Sequence, residues 1–144
     1  MKVAIPQLFP NSRQEPFDLT SSETKSYNCI AWAYEDNTRW YWPDPSTIYF
    51  WPPGVPREET LAAFIILFES IGYTQCENGD LEDGYLKVAV YTNNLGIPTH
   101  AARQLSNGLW TSKLGDKIDV SHTLLSMEGG VYGNVVAFLR RSTV

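Results

Sequence analysis

A change of hydrophobic period at Gly72 constrains the fold of this chain more than any other feature. Before it, Leu61, Phe64, Ile65 and Phe68 form one apolar stripe at helical spacing, and Glu58 and Glu59 sit where a first turn favours negative charge. Gly72 supplies the stop, so the spacing predicts a helix over 57–72. Ile30, Ala31, Ala33 and Tyr34 predict a second, shorter helix over 28–35, with Ser26 or Asn28 as its cap. After Gly72 the signals are those of strands and turns. Leu86 to Thr92 reads as a strand, broken by Asn93-Asn94-Leu95-Gly96. Thr99 to Leu105 and Leu109 to Leu114 read as two more, joined by a hairpin turn at Ser106-Asn107-Gly108, and Val131 to Leu139 closes the sheet. Helices first and strands after predict an α+β fold, with N-terminal helices packed on a C-terminal antiparallel β-sheet rather than alternating βαβ units.

The 144 residues fit one domain, 1–144, and 43% apolar content is enough for a core without disulfide or metal staples. Prolines at 6, 10 and 16 and the polar run from Thr20 to Ser26 predict an extended N-terminal arm over 1–26, ending in a turn. The segment 39–56 holds Trp40, Trp42, Trp51, five prolines and Gly54. It predicts an aromatic, proline-stiffened loop, either functional or packed over the core.

Net charge and cysteine usage exclude several function classes. A net charge of −5 and a pI near 4.9 leave no concentrated basic surface for nucleic acid. The longest apolar stretch, Leu61 to Phe68, is far short of a membrane span. The opening MKVAIPQLFP does not read as a secretion signal, so a cytoplasmic protein is expected, with signal-independent export still open. Two cysteines make no disulfide framework, and no CxxC or paired-histidine spacing marks a zinc site. Cys29, Cys76, His100 and His122 are the only soft ligands, and thiol chemistry explains them more simply than a metal; no metal and no cofactor are expected.

Cys29 is placed at a helix start, where the macrodipole and backbone N–H groups favour thiolate and lower the pKa. That makes it a candidate nucleophile, against the plainer reading of a buried structural cysteine. His100, entering a strand after Pro98-Thr99, is the candidate general base. Asn28 either contributes to an oxyanion site or caps the helix. Trp32, Trp40, Trp42, Trp110 and Gln104 are candidates for lining a substrate cleft. Cys76, among acidic neighbours, is assigned no role.

Two segments carry a family resemblance. Tyr27-Asn28-Cys29-Ile30-Ala31-Trp32-Ala33 resembles the cysteine-bearing helix start of the CHAP and NlpC branches of papain-like enzymes. Thr99-His100-Ala101-Ala102-Arg103-Gln104-Leu105 resembles their histidine strand, with Lys87 to Tyr91 as the strand before it. The likeness spans roughly 26–35 and 86–114. It departs at Thr99, where those families often have glycine. It implies a papain-like fold, Cys29 as nucleophile, His100 as base, and a third polar group on the next strand to orient the imidazole. That strand offers Ser112, flanked by Thr111 and Lys113, and no Asn, Asp, Glu or His. Gln104, Asp119 and His122 remain alternatives, His122 being expected at the surface or as a cap. The chain is also similar to small bacterial proteins sharing the run Trp110-Thr111-Ser112-Lys113-Leu114-Gly115. The implied activity is cysteine-dependent hydrolysis of an amide or peptide bond. Acyl transfer or deamidation, and non-catalytic binding on the same scaffold, are the alternatives. The expected partner is a peptide or amide substrate, or a protein.

Overall fold

The computed structural model describes residues 1–21, 27–114 and 118–143. In chain order the elements are β1 (Lys2–Val3), β2 (Phe17–Ser21), α1 (Cys29–Ala33), α2 (Leu61–Glu69), β3 (Thr74–Cys76), β4 (Tyr85–Thr92), β5 (Pro98–Gln104), β6 (Trp110–Lys113), β7 (Asp119–His122), α3 (Leu124–Met127) and β8 (Asn134–Ser142), with a 3-10 turn over Pro10–Arg13. The strands form one sheet in the order β1-β2-β7-β6-β5-β4-β8-β3, and every pairing is antiparallel.

The expected α+β plan, and with it a papain-like layer of helices against a C-terminal sheet, is corrected by this architecture. The protein is β-rich: an eight-stranded sheet with three short α-helices among the described residues. Two physical reasons stand out. The N-terminal arm is not irregular, because β1 pairs with β2 and β2 pairs with β7, so the sheet begins at residue 2. The long helix also starts late. Thr60 is its cap, accepting from the Ala63 N–H at 3.2 Å, so Glu58 and Glu59 lie before the helix rather than in its first turn. The turn expected over 20–26 falls largely on 22–26, outside the described residues.

Alternation along the strands separates two apolar clusters, one on each face of the sheet. Val88, Val90, Ala101 and Leu139 face α1 and α2, packing with Ile30, Ala31, Phe64, Leu67 and Phe68. Ala89, Tyr91, Ala102, Trp110 and Val120 face the other way, against Phe9, Phe17 and Met127. Because both faces are covered, β4 reads as a nearly continuous apolar run. Helix α1 stops at Glu35, whose backbone is left-handed (φ 69°) while the Asp36 N–H bonds back to the Ala31 carbonyl at 2.8 Å. Arg57 anchors the aromatic loop by donating to the Asp44 carbonyl and carboxylate and to the Tyr49 carbonyl. No helix among the described residues is long and apolar enough to cross a membrane.

Candidate active site

The sheet sets the site by splaying between β5 and β6. Their ladder runs only through Arg103–Thr111 and Gln104–Trp110. Past it, Ala101 keeps its pairing with Val90 of β4, and its backbone N–H acts on the Cys29 sulfur in the direction that favours thiolate. Cys29 follows Asn28, the cap of α1, so the cap geometry delivers the thiol into this gap.

His100, one residue before Ala101, turns its ring to the opposite face of the sheet. It lies edge-on to Tyr91 and stacks on Tyr132, with ring centroids 4.0 Å apart and planes 6° from parallel. Its Nε2 is 2.8 Å from the Ser112 hydroxyl, which is 2.6 Å from His122 Nε2, and His122 Nδ1 is 2.7 Å from the Thr123 carbonyl oxygen. His100, Ser112 and His122 are all buried. His100 Nδ1 is buried as well and has no hydrogen-bond partner among the described residues. The structure therefore joins His100 to Ser112 by a hydrogen bond. It gives Cys29 the neighbouring Ala101 N–H and no hydrogen bond to the imidazole. The Tyr132 ring covers the His100 imidazole.

Electrostatics reverse the expectation of an activated thiolate. Burial pushes the Cys29 thiol up to about 12, outweighing the Ala101, Ile30 and Cys29 N–H groups and Lys113, which act in the opposite sense. A five-residue helix adds little dipole to oppose that loss of hydration. Burial likewise holds His100 well below the ordinary histidine range and His122 down to about 4, against the pull of the Thr123 carbonyl. At rest the site is a neutral thiol and two neutral imidazoles.

The other candidates separate. Asn28 Oδ1 accepts from the Ala31 and Tyr41 N–H groups, and its Nδ2 donates to the Tyr41 carbonyl, so it caps and braces rather than serving an oxyanion. Gln104 donates to the Gly79 carbonyl at the far end of β5. Asp119 accepts from the Tyr27 hydroxyl at 2.7 Å on the α1 face. Trp32 donates to the Thr111 hydroxyl, Trp42 donates to Glu59, Trp40 stacks on Tyr49, and Trp110 is core. His122, expected at the surface, is the residue that sequence reasoning misplaced. Its one signal was a pair of short polar runs, 112–113 and 119–122, with nine residues between Ser112 and His122, which only pairing of β6 with β7 brings together. Among the described residues no three His, Cys, Asp or Glu side chains converge as metal ligands would.

Residues 18–140 match the profile of a domain of unknown function (DUF7689). The chain belongs to the DUF7689 family. The DUF7689 match spans the site from Cys29 to His122 and all of the sheet except β1, the first residue of β2 and the end of β8. No curated protein and no solved structure matches the chain.

Proposed function

We propose that this DUF7689 protein is a cysteine-dependent hydrolase of amide or peptide bonds, with Cys29 as nucleophile and His100 Nδ1 as general base. The observation that carries the reading is the bare, buried Nδ1 of a histidine fixed through its other nitrogen, on a strand whose next backbone N–H favours the Cys29 thiolate. Thiol and imidazole start on opposite faces of the sheet, so the reading requires substrate binding to bring them within reach through the gap between β5 and β6. The thiol proton then passes to Nδ1 as sulfur bonds to the substrate carbonyl carbon. The imidazolium returns that proton to the leaving nitrogen as the C–N bond breaks. Water, deprotonated by the same Nδ1, then attacks the thioester carbonyl; the C–S bond breaks, the acid leaves, and the imidazolium returns its proton to the Cys29 sulfur. Starting from a neutral pair suits a site this dry, since no charge is held there before substrate arrives. Access runs past Tyr132, whose ring covers His100.

The test is amine release from a panel of acyl-peptide amides by wild type, Cys29→Ala and His100→Ala. Turnover lost in both variants supports the reading; equal turnover in wild type and Cys29→Ala ends it. The complete burial of His100 favours one competing reading, an interaction protein in which the His100–Ser112–His122 chain is a structural brace. That reading expects no turnover in any of the three. Free Cys29 and Cys76 thiols accord with a reducing cytoplasm, where we place the activity.

A further inference from the structure

We infer that His122 is a positioning residue: through the Ser112 hydroxyl it holds His100 in the tautomer that leaves Nδ1 unprotonated. The inference deepens the hydrolase reading and draws its functional meaning from it, while the tautomer itself is measurable without turnover.

The direction of every proton in the chain follows from its last member. The Thr123 carbonyl can only accept, and it is held in place at the start of α3, where the Ser126 hydroxyl also donates to it at 2.9 Å. His122 Nδ1, 2.7 Å away, must therefore carry a hydrogen. A neutral His122 then has a bare Nε2, which can only accept, so the Ser112 hydroxyl donates to it across 2.6 Å. With its single proton spent there, Ser112 can only accept from His100 across 2.8 Å, which puts the hydrogen of His100 on Nε2. A neutral imidazole carries one N–H, and Nδ1 is left with a lone pair. The opposite assignment fails twice. It gives His122 hydrogens on both nitrogens, hence a charge in a buried site, and it leaves His100 with a buried N–H that nothing accepts. When Nδ1 later takes the thiol proton, the imidazolium Nε2–H already points at a hydroxyl oxygen whose own proton points away.

The experiment is long-range ¹H–¹⁵N NMR at pH 7 on protein labelled in its two histidines, comparing wild type with His122→Phe and His122→Gln. Wild type is expected to show His100 protonated at Nε2 and bare at Nδ1, with His122 the reverse. Phe keeps the ring volume but accepts no proton, so Ser112 is free to turn and donate to His100. The Nδ1–H form of His100 should then rise at least tenfold. The Gln amide oxygen can accept from Ser112 and should restore the wild-type pattern. If His122→Phe loses its dispersed spectrum, Ser112→Ala reports on the same link and should likewise abolish the single-tautomer signal. Wild-type His100 found with hydrogen on Nδ1, or unchanged by His122→Phe and Ser112→Ala, overturns the inference. A confirmed tautomer with no hydrolysis in any substrate screen would retain the inference and remove the hydrolase reading. Cys29-dependent turnover with the wrong tautomer would do the opposite. Where turnover is present, His122→Phe should lower kcat by about tenfold or more with KM unchanged, since it weakens a base and no substrate contact.

Discussion

Lowering the pH from 7 to 5 should destabilise this protein steeply, and the response should belong to two residues. The chain has only two histidines, and both are buried and neutral. In the unfolded chain each titrates near 6.5, whereas in the fold burial holds His100 well below that and His122 at about 4. The unfolded state therefore binds more protons than the folded state as pH falls, and stability present above 6.5 is lost on the way down. For a histidine that stays neutral in the fold, the loss at pH 5 is about 2 kcal/mol, so the pair together loses about 4 kcal/mol, with a slope approaching about 2.7 kcal/mol per pH unit. Domains of this size have about 5–15 kcal/mol in total, so the effect is large. The carboxylates held low in the fold, Asp36 at about 2 against burial by Thr38, Tyr41 and Arg39, and Asp44 and Glu82 below their ordinary values, lose most of their contribution only as pH falls below those ordinary values of 3.8 and 4.5. Urea denaturation followed by tryptophan fluorescence at pH 7, 6 and 5 measures the loss as a falling midpoint at constant m-value. His122→Gln should remove about half of the dependence. A midpoint unmoved between pH 7 and 5 would refute the buried neutral pair, and with it the proton assignment along Ser112.

Four further outcomes are expected. At alkaline pH the raised Cys29 thiol works in the opposite direction: stability is full below its ordinary 9.0 and falls between 9 and about 12, and Cys29→Ala should flatten that limb in the same denaturation assay. Tyr132→Ala removes the ring stacked on His100 and should speed iodoacetamide labelling of Cys29, read by mass spectrometry, with Cys76 labelling as the internal control. Gly133→Ala should destabilise by about 3 kcal/mol or more, since a Cβ there would lie 1.9 Å from the Thr92 carbonyl oxygen on a left-handed backbone (φ 76°); a thermal melt within a degree of wild type would contradict the packing of this turn. Arg57→Ala unties the Asp44–Tyr49 turn and should make 39–56 the first segment cut by limited proteolysis, leaving the histidine NMR signals in place.

The strands that alternate or run apolar were legible. Expected strands at 86–92, 99–105 and 109–114 correspond to β4, β5 and β6, and Gly108, in the expected hairpin turn, has φ 88°. The start of α1 was legible because Asn28 precedes a helical pattern, and it does cap Ala31. What hid was polar and buried. Asp-Val-Ser-His over 119–122 has the composition of a surface turn, yet β7 is a strand inside the sheet, and its polar atoms are satisfied by Ser112 and Tyr27 rather than by water. β1 and β2 hid for a related reason. Prolines at 6, 10 and 16 mark irregular chain, but they lie between or beside the two strands and shape the 3-10 turn. The Cys29 thiol was misjudged because a helix start favours thiolate only where the helix is long enough and water remains near; neither holds here.

The central claim is that Cys29 is a nucleophile served by His100, and covalent trapping tests it most directly. Wild type and His100→Asn would be incubated at pH 7 with a peptide-derived electrophile, such as a peptidyl vinyl sulfone, and the modified cysteine identified and timed by mass spectrometry. The account predicts an adduct on Cys29, despite its burial, that forms at least about tenfold more slowly without the His100 base. Labelling confined to Cys76, or Cys29 labelled at the same rate with and without His100, would contradict it.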